Sequence, residues 1–109
     1  MPTNYKVLGQ SNPAATTATT LYTVPSATQA VVSTIVVANL DSAAATFRIA
    51  VRVAGATLAN SQYVAYNITV GASDSTTITL GLTLGAADVV TVYASTANVT
   101  FSAFGSEIS

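Results

Sequence analysis

The chain has no cysteine, no histidine and no tryptophan in its 109 residues, and only 6% of them are charged. Without Cys there is no disulfide framework, no thiolate metal site and no thiol nucleophile, and the redox compartment leaves no trace. Without His the commonest general base, the usual partner of a nucleophilic Ser and the commonest metal ligand are all missing. The charged fraction compares with roughly 25% in an average soluble protein. Lys6, Arg48 and Arg52 are the 3 cations and the net charge is −1. Nucleic-acid binding needs several cations to displace phosphate counterions, so no nucleic-acid partner is expected.

Long apolar runs are also lacking. The longest, "AVVSTIVVANL", is broken by Ser33, Thr34 and Asn39. It falls well short of the roughly 18 residues of a membrane helix, so no membrane partner is expected. The opening "MPTNYKVLGQ" has neither the charged region nor the apolar core of a secretory signal. The sequons Asn67-Ile68-Thr69 and Asn98-Val99-Thr100 are therefore expected to stay unmodified.

Half of the residues, 50%, are hydrophobic, which is enough to build a core. The length suits a single domain over 1–109. β-Branched and aromatic residues recur with period two between Gly, Asn, Asp and Pro punctuation. This predicts an all-β fold: one antiparallel β-sandwich or jelly-roll-like domain of about eight short strands. A first strand is expected near Tyr5 to Leu8, and a second over "TTLYTV", ended by Pro25. "AVVSTIVVAN", apolar on both faces, reads as a central strand. In "TFRIAVRV" the alternation points Phe47, Ile49, Val51 and Val53 to the core and Arg48, Ala50 and Arg52 outward. In "QYVAYNITV" it points Val64, Tyr66, Ile68 and Val70 inward and Tyr63, Ala65, Asn67 and Thr69 outward. "NSQ" reads as a short helical turn, "GASDS" and "GAAD" as turns, and "TTITLGLTL" as a strand with Leu inward and Thr outward. "VVTVYAS" and "VTFSAF" are expected to form a closing hairpin across "STAN".

The 4 acids are Asp41, Asp74, Asp88 and Glu107. The three aspartates fall in predicted turns, where Asp bonds its own backbone. A calcium loop needs several oxygen ligands close together, and "SDST" and "GAADV" each supply one carboxylate. A glycosidase needs two carboxyls facing a cleft, for which this chain has little loop length. No catalytic, metal or cofactor site is expected, and the chain reads as a non-enzyme.

Candidate contact residues are few. Arg48 and Arg52 share a strand face at a separation of roughly 13 Å. They serve either edge protection or a contact to a partner's carboxylate. Tyr63 is a candidate for stacking on a sugar, but Tyr66, assigned to the core stripe, does not join it in one platform. Phe104 lies on the face opposite Val99, Phe101 and Ala103, so a neighbouring segment or subunit is expected to cover it. The outward Thr77, Thr79 and Thr83 echo an ice-binding ladder on a single strand, where Thr is also simply a good exposed β residue. A surface so poor in charge favours association, which points to a component of an assembly. The other reading is an extracellular module with a neutral surface.

"KVLGQSNPAATTATTLYTVP", "FRIAVRVAG", "YVAYNITV", "LGLTLGAADVVTVYAST" and "VTFSAFGSEIS" together resemble small virion structural proteins of tailed phages, particularly marine and cyanobacterial ones. The resemblance spans nearly the whole chain and includes no catalytic motif. It implies a β-sandwich subunit built in many copies into a particle assembled in the host cytoplasm, hence a virion location. The leading expectation is a head decoration (cement) protein. It would act as a homotrimer that bridges subunits of the major capsid protein. The alternative is a tail, baseplate or fibre module that binds a host glycan, and a free carbohydrate-binding module comes third.

Overall fold

The computed structural model describes residues 3–109. Eight strands follow in order: β1 (Thr3–Ser11), β2 (Thr19–Thr23), β3 (Gln29–Asn39), β4 (Ala45–Arg52), β5 (Tyr63–Val70), β6 (Ser75–Leu84), β7 (Val89–Ala94) and β8 (Val99–Ile108). They form two four-stranded sheets, β1-β8-β3-β6 and β2-β7-β4-β5. In four antiparallel pairings, β1 with β8, β2 with β7, β3 with β6 and β4 with β5, the strand numbers sum to nine. That is a long nested hairpin rolled so that successive strand pairs fall in opposite sheets, the topology of a jelly roll. The pairings β3–β8 and β4–β7 close the roll. The expected all-β sandwich is the observed fold.

The core fills the space between the sheets. Val32, Ile35 and Val37 of β3 and Val99, Phe101 and Ala103 of β8 face Phe47 and Ile49 of β4 and Val90 and Val92 of β7, all fully buried. Phe47 and Phe101 meet edge to face with centroids 6.0 Å apart, one ring from each sheet. β3 lies between β8 and β6, as its two apolar faces predict. β1 runs alongside β2 at the opposite edge of the roll, where Gly9 is indispensable. A Cβ there would lie 2.2 Å from the Leu21 carbonyl oxygen.

All four edge strands carry extra residues that break the ladder. One sits at Leu8 in β1, one at Leu21 in β2, and others lie at Val64 and between Ala65 and Ile68 in β5 and between Thr79 and Leu82 in β6. Edges normally avoid stray pairing through charge, Pro or bulges. This chain has almost no charge, and bulges take over that task.

The bulges also overturn part of the sequence reading. Asn67 adopts a left-handed φ of 51°, and the extra residue there reverses the phase of β5. Ala65 is consequently buried, while Val64 and Tyr66 are exposed and Ile68 is only partly covered at the sheet edge. Val70 is buried as expected. β4 ends at Arg52, so Val53 leaves the core for an exposed turn. Ala50 points outward but is buried, in a row between Tyr63 and Thr91. β1 is longer than the stretch Tyr5–Leu8 and takes in Gly9, Gln10 and Ser11. β7 and β8 do not form a hairpin. Residues 95–98 instead carry the chain from one sheet to the other.

Candidate functional site

The outer face of the β2-β7-β4-β5 sheet carries a cluster built from three strands. Arg48 of β4 points outward, where Tyr93 of β7 is its register partner. The phase reversal in β5 puts Tyr66 on the other side of the same guanidinium. The Arg48 Cζ lies 4.3 Å from the Tyr66 ring centre and 4.2 Å from that of Tyr93, a two-sided cation–π sandwich. Arg48 Nε donates to Asn67 Oδ1 at 2.7 Å. The strained Asn67 thus both makes the bulge and orients the guanidinium. Among the described residues Arg48 has no carboxylate partner, since Lys6 with Glu107 forms the one ion pair.

Tyr63 completes the cluster. Its ring stands at 79° to that of Tyr66 with centroids 5.0 Å apart. The expectation that Tyr63 and Tyr66 lie on separate faces is therefore corrected: the Asn67 bulge turns Tyr66 outward, and a second extra residue at Val64 keeps Tyr63 on that same side. Together with Asn60 they line a shallow hollow of about 370 Å³. No hydrogen bond within the described residues engages the Asn60 amide or the hydroxyls of Tyr63, Tyr66 and Tyr93.

The wall beside the hollow is fixed rather than loose. Gln62 accepts from the Ala59 N–H at 2.7 Å and donates to the Thr57 carbonyl at 3.0 Å, which locks the 3-10 turn Asn60–Gln62. Arg52 donates to the carbonyls of Ala56 at 2.7 Å and Gly55 at 3.0 Å. Asp88 Oδ1 accepts from the Ala54 N–H at 2.8 Å. Arg52 therefore pins the loop and does not form a joint positive patch with Arg48. Beneath this region Thr91, in the same cross-strand row as Ala50 and Tyr63, is buried with its Oγ1 unpartnered.

Phe104 lies on the other outer face. It is 36% exposed in the row Val7–Phe104–Thr34–Thr79, beside the row Tyr5–Ser106–Val31–Thr83. Tyr5 is 84% and Val7 48% exposed, and none of these eight residues is charged. Within the described chain no segment lies over Phe104 to bury it.

The chain matches no protein-family model and no curated protein.

The aspartates do the turn work their positions predict. Asp41 accepts from Asn98 and from the Ser42 N–H, and these bonds hold its carboxyl below the usual carboxylate range. Asp74 accepts from the Ser75 N–H, and Asp88 Oδ2 from the Gly85 N–H. Glu107 has a role that the sequence does not reveal. It is buried, accepts from the Tyr22 hydroxyl at 2.5 Å and pairs with Lys6 at 2.9 Å. The Tyr22 hydroxyl, and after it Lys6, hold the Glu107 carboxyl below its ordinary value. Burial, and after it Glu107, push the Tyr22 phenol up. β2 and β8 belong to different sheets, so this bond ties the two sheets together. Only the mixed apolar and polar character of "TTLYTV" hinted that Tyr22 would need a buried partner.

Proposed function

We propose that this chain is a structural subunit of a phage particle and that its main task is a head decoration role. In that role it packs against copies of itself and against the major capsid protein. The observation that carries this reading is the outer face around Phe104, where Tyr5 and Val7 stand exposed and the one cation at its margin, Lys6, is paired with Glu107. An apolar, hydrogen-bond-capable face of this kind loses little solvation on association. The sequence resemblance supports a virion subunit without assigning its place in the particle, and the jelly-roll topology is compatible with that, although a fold by itself hosts many functions. Bulged edges fit as well, since they direct association to faces and away from open-ended strand pairing.

The test is electron microscopy of particles, with the copy number of the chain counted. Hundreds of copies on the shell, and loss of DNA on heating from particles lacking the chain, are expected. A few copies confined to the tail would overturn the decoration role. Phe104→Ser should abolish incorporation while leaving the isolated chain folded. A tail or fibre position is the second reading, favoured by the arginine–tyrosine cluster on the opposite face.

A further inference from the structure

We infer that the hollow between Asn60, Tyr63 and Tyr66, together with Arg48, is a binding site for a carboxylate-bearing sugar of the hexuronate type. A sugar ring lies in the hollow, and its carboxylate, or that of the next residue in the oligosaccharide, meets Arg48. This site is independent of the Phe104 face and of where in a particle the chain sits.

Four observations converge on this chemistry. The guanidinium is held between two rings and by Asn67, yet has no carboxylate of its own among the described residues. A cation fixed in this way has already given up its side-chain freedom, so its terminal N–H donors are preorganised for a planar carboxylate. Next, Tyr63 and Tyr66 meet at 79°, which makes a corner rather than a flat plate. A pyranose presents an apolar C–H face to one ring and its hydroxyls to the Asn60 amide and the free phenols. The hollow, about 370 Å³, lies at the small end of ligand pockets. Its wall is also locked by Gln62, Arg52 and Asp88, so the shape is set before any ligand arrives.

The geometry favours a sugar over a protein carboxylate. A protein interface of standard size buries about 800 Å² on each partner, a broad face. Here the contact elements are confined to a corner flanked by a fixed loop, with unpartnered amide and hydroxyl groups that match a polyhydroxylated ligand. The bulge at Asn67 has a cost, because a left-handed φ in a non-glycine residue is strained. That strain is what brings Tyr66 and Asn67 to Arg48.

The test is titration of the whole chain with trigalacturonate, with trimannuronate and with the fully methyl-esterified trigalacturonate, followed by calorimetry and by the aromatic NMR signals of the tyrosines. At least one acid is expected to bind and to shift the Tyr63 and Tyr66 signals. Its methyl ester, which keeps the skeleton and loses the charge, should bind about tenfold more weakly or worse. Arg48→Gln should produce the same loss for the acid and leave the ester unaffected, and Asn60→Ala should weaken both. The ester comparison uses the unaltered chain and so does not depend on any variant folding. If neither acid binds, or if acid and ester bind alike, the inference is overturned. It is equally overturned if neither uronate binds while Arg48→Gln abolishes association with another protein, which would make Arg48 a protein contact. Neither result bears on the copy number that tests the decoration role.

Discussion

Tyr22→Phe removes a single oxygen from a bond that ties the two sheets together. The lost contact is a buried hydroxyl-to-carboxylate bond of 2.5 Å, with both residues less than a tenth exposed. Hydrogen bonds to charged groups contribute about 1.5–3 kcal/mol. The Lys6 pair cannot make up the difference, since the Lys6 side chain is 50% exposed and such pairs contribute only about 0.2–1 kcal/mol. At roughly 4 °C per kcal/mol for a domain of this size, Tm should fall by about 6–12 °C at pH 7. The pH dependence carries the sharper test. The Glu107 carboxyl is held below its ordinary value, so its contribution is present above the ordinary Glu pKa of about 4.3 and is lost as pH falls through the lowered value. The Tyr22 phenol is pushed up, so its contribution is present below about pH 10 and is lost as pH rises beyond that. Differential scanning calorimetry of both forms from pH 3 to pH 11 should therefore give a Tm gap that is widest near neutrality and closes at both ends. A gap unchanged between pH 7 and pH 3, or one below about 1 °C throughout on the same scale, would refute the cross-sheet bond.

Phe101→Ala should cost about 3–5 kcal/mol in denaturant unfolding, because it empties the centre of the core and removes the edge-to-face contact with Phe47. That is a large part of the roughly 5–15 kcal/mol that a domain has in total, so a loss under about 1 kcal/mol would contradict the packing described. Gly105→Ala places a Cβ 1.9 Å from the Val31 carbonyl oxygen, where β8 and β3 pair beside the Ser33 bulge. Opening that ladder should cost about 1–3 kcal/mol or more, read as a lower urea midpoint with an unchanged slope. Thr91→Val should go the other way and stabilise by about 1 kcal/mol, since the buried Oγ1 has no partner and the shapes are alike. A destabilised valine variant would mean that the hydroxyl is satisfied after all.

Much of this protein was legible in its sequence. Period-two alternation, turn residues and the lack of helical spacing determined an all-β sandwich. They also placed Val99, Phe101 and Ala103 in the core and the three aspartates in turns. Those features are local, and a strand's alternation or a turn's Asp shows within a few residues. What only the tertiary structure decided is non-local. "STAN" reads equally well as a hairpin tip or as a passage between sheets, because the choice depends on which strands lie beside β7 and β8. The partner of Tyr22 is 85 residues away in the chain. The phase of β5 turned on one extra residue near Asn67, which composition does not announce because Asn is as much at home in an ordinary loop. That one residue moved Tyr66 from the expected core to the surface and set it against Arg48, and a second extra residue at Val64 kept Tyr63 on the same side. The candidate site exists because two bulges in β5, fixed by pairing with β4, broke the alternation from which the rest of the fold could be read.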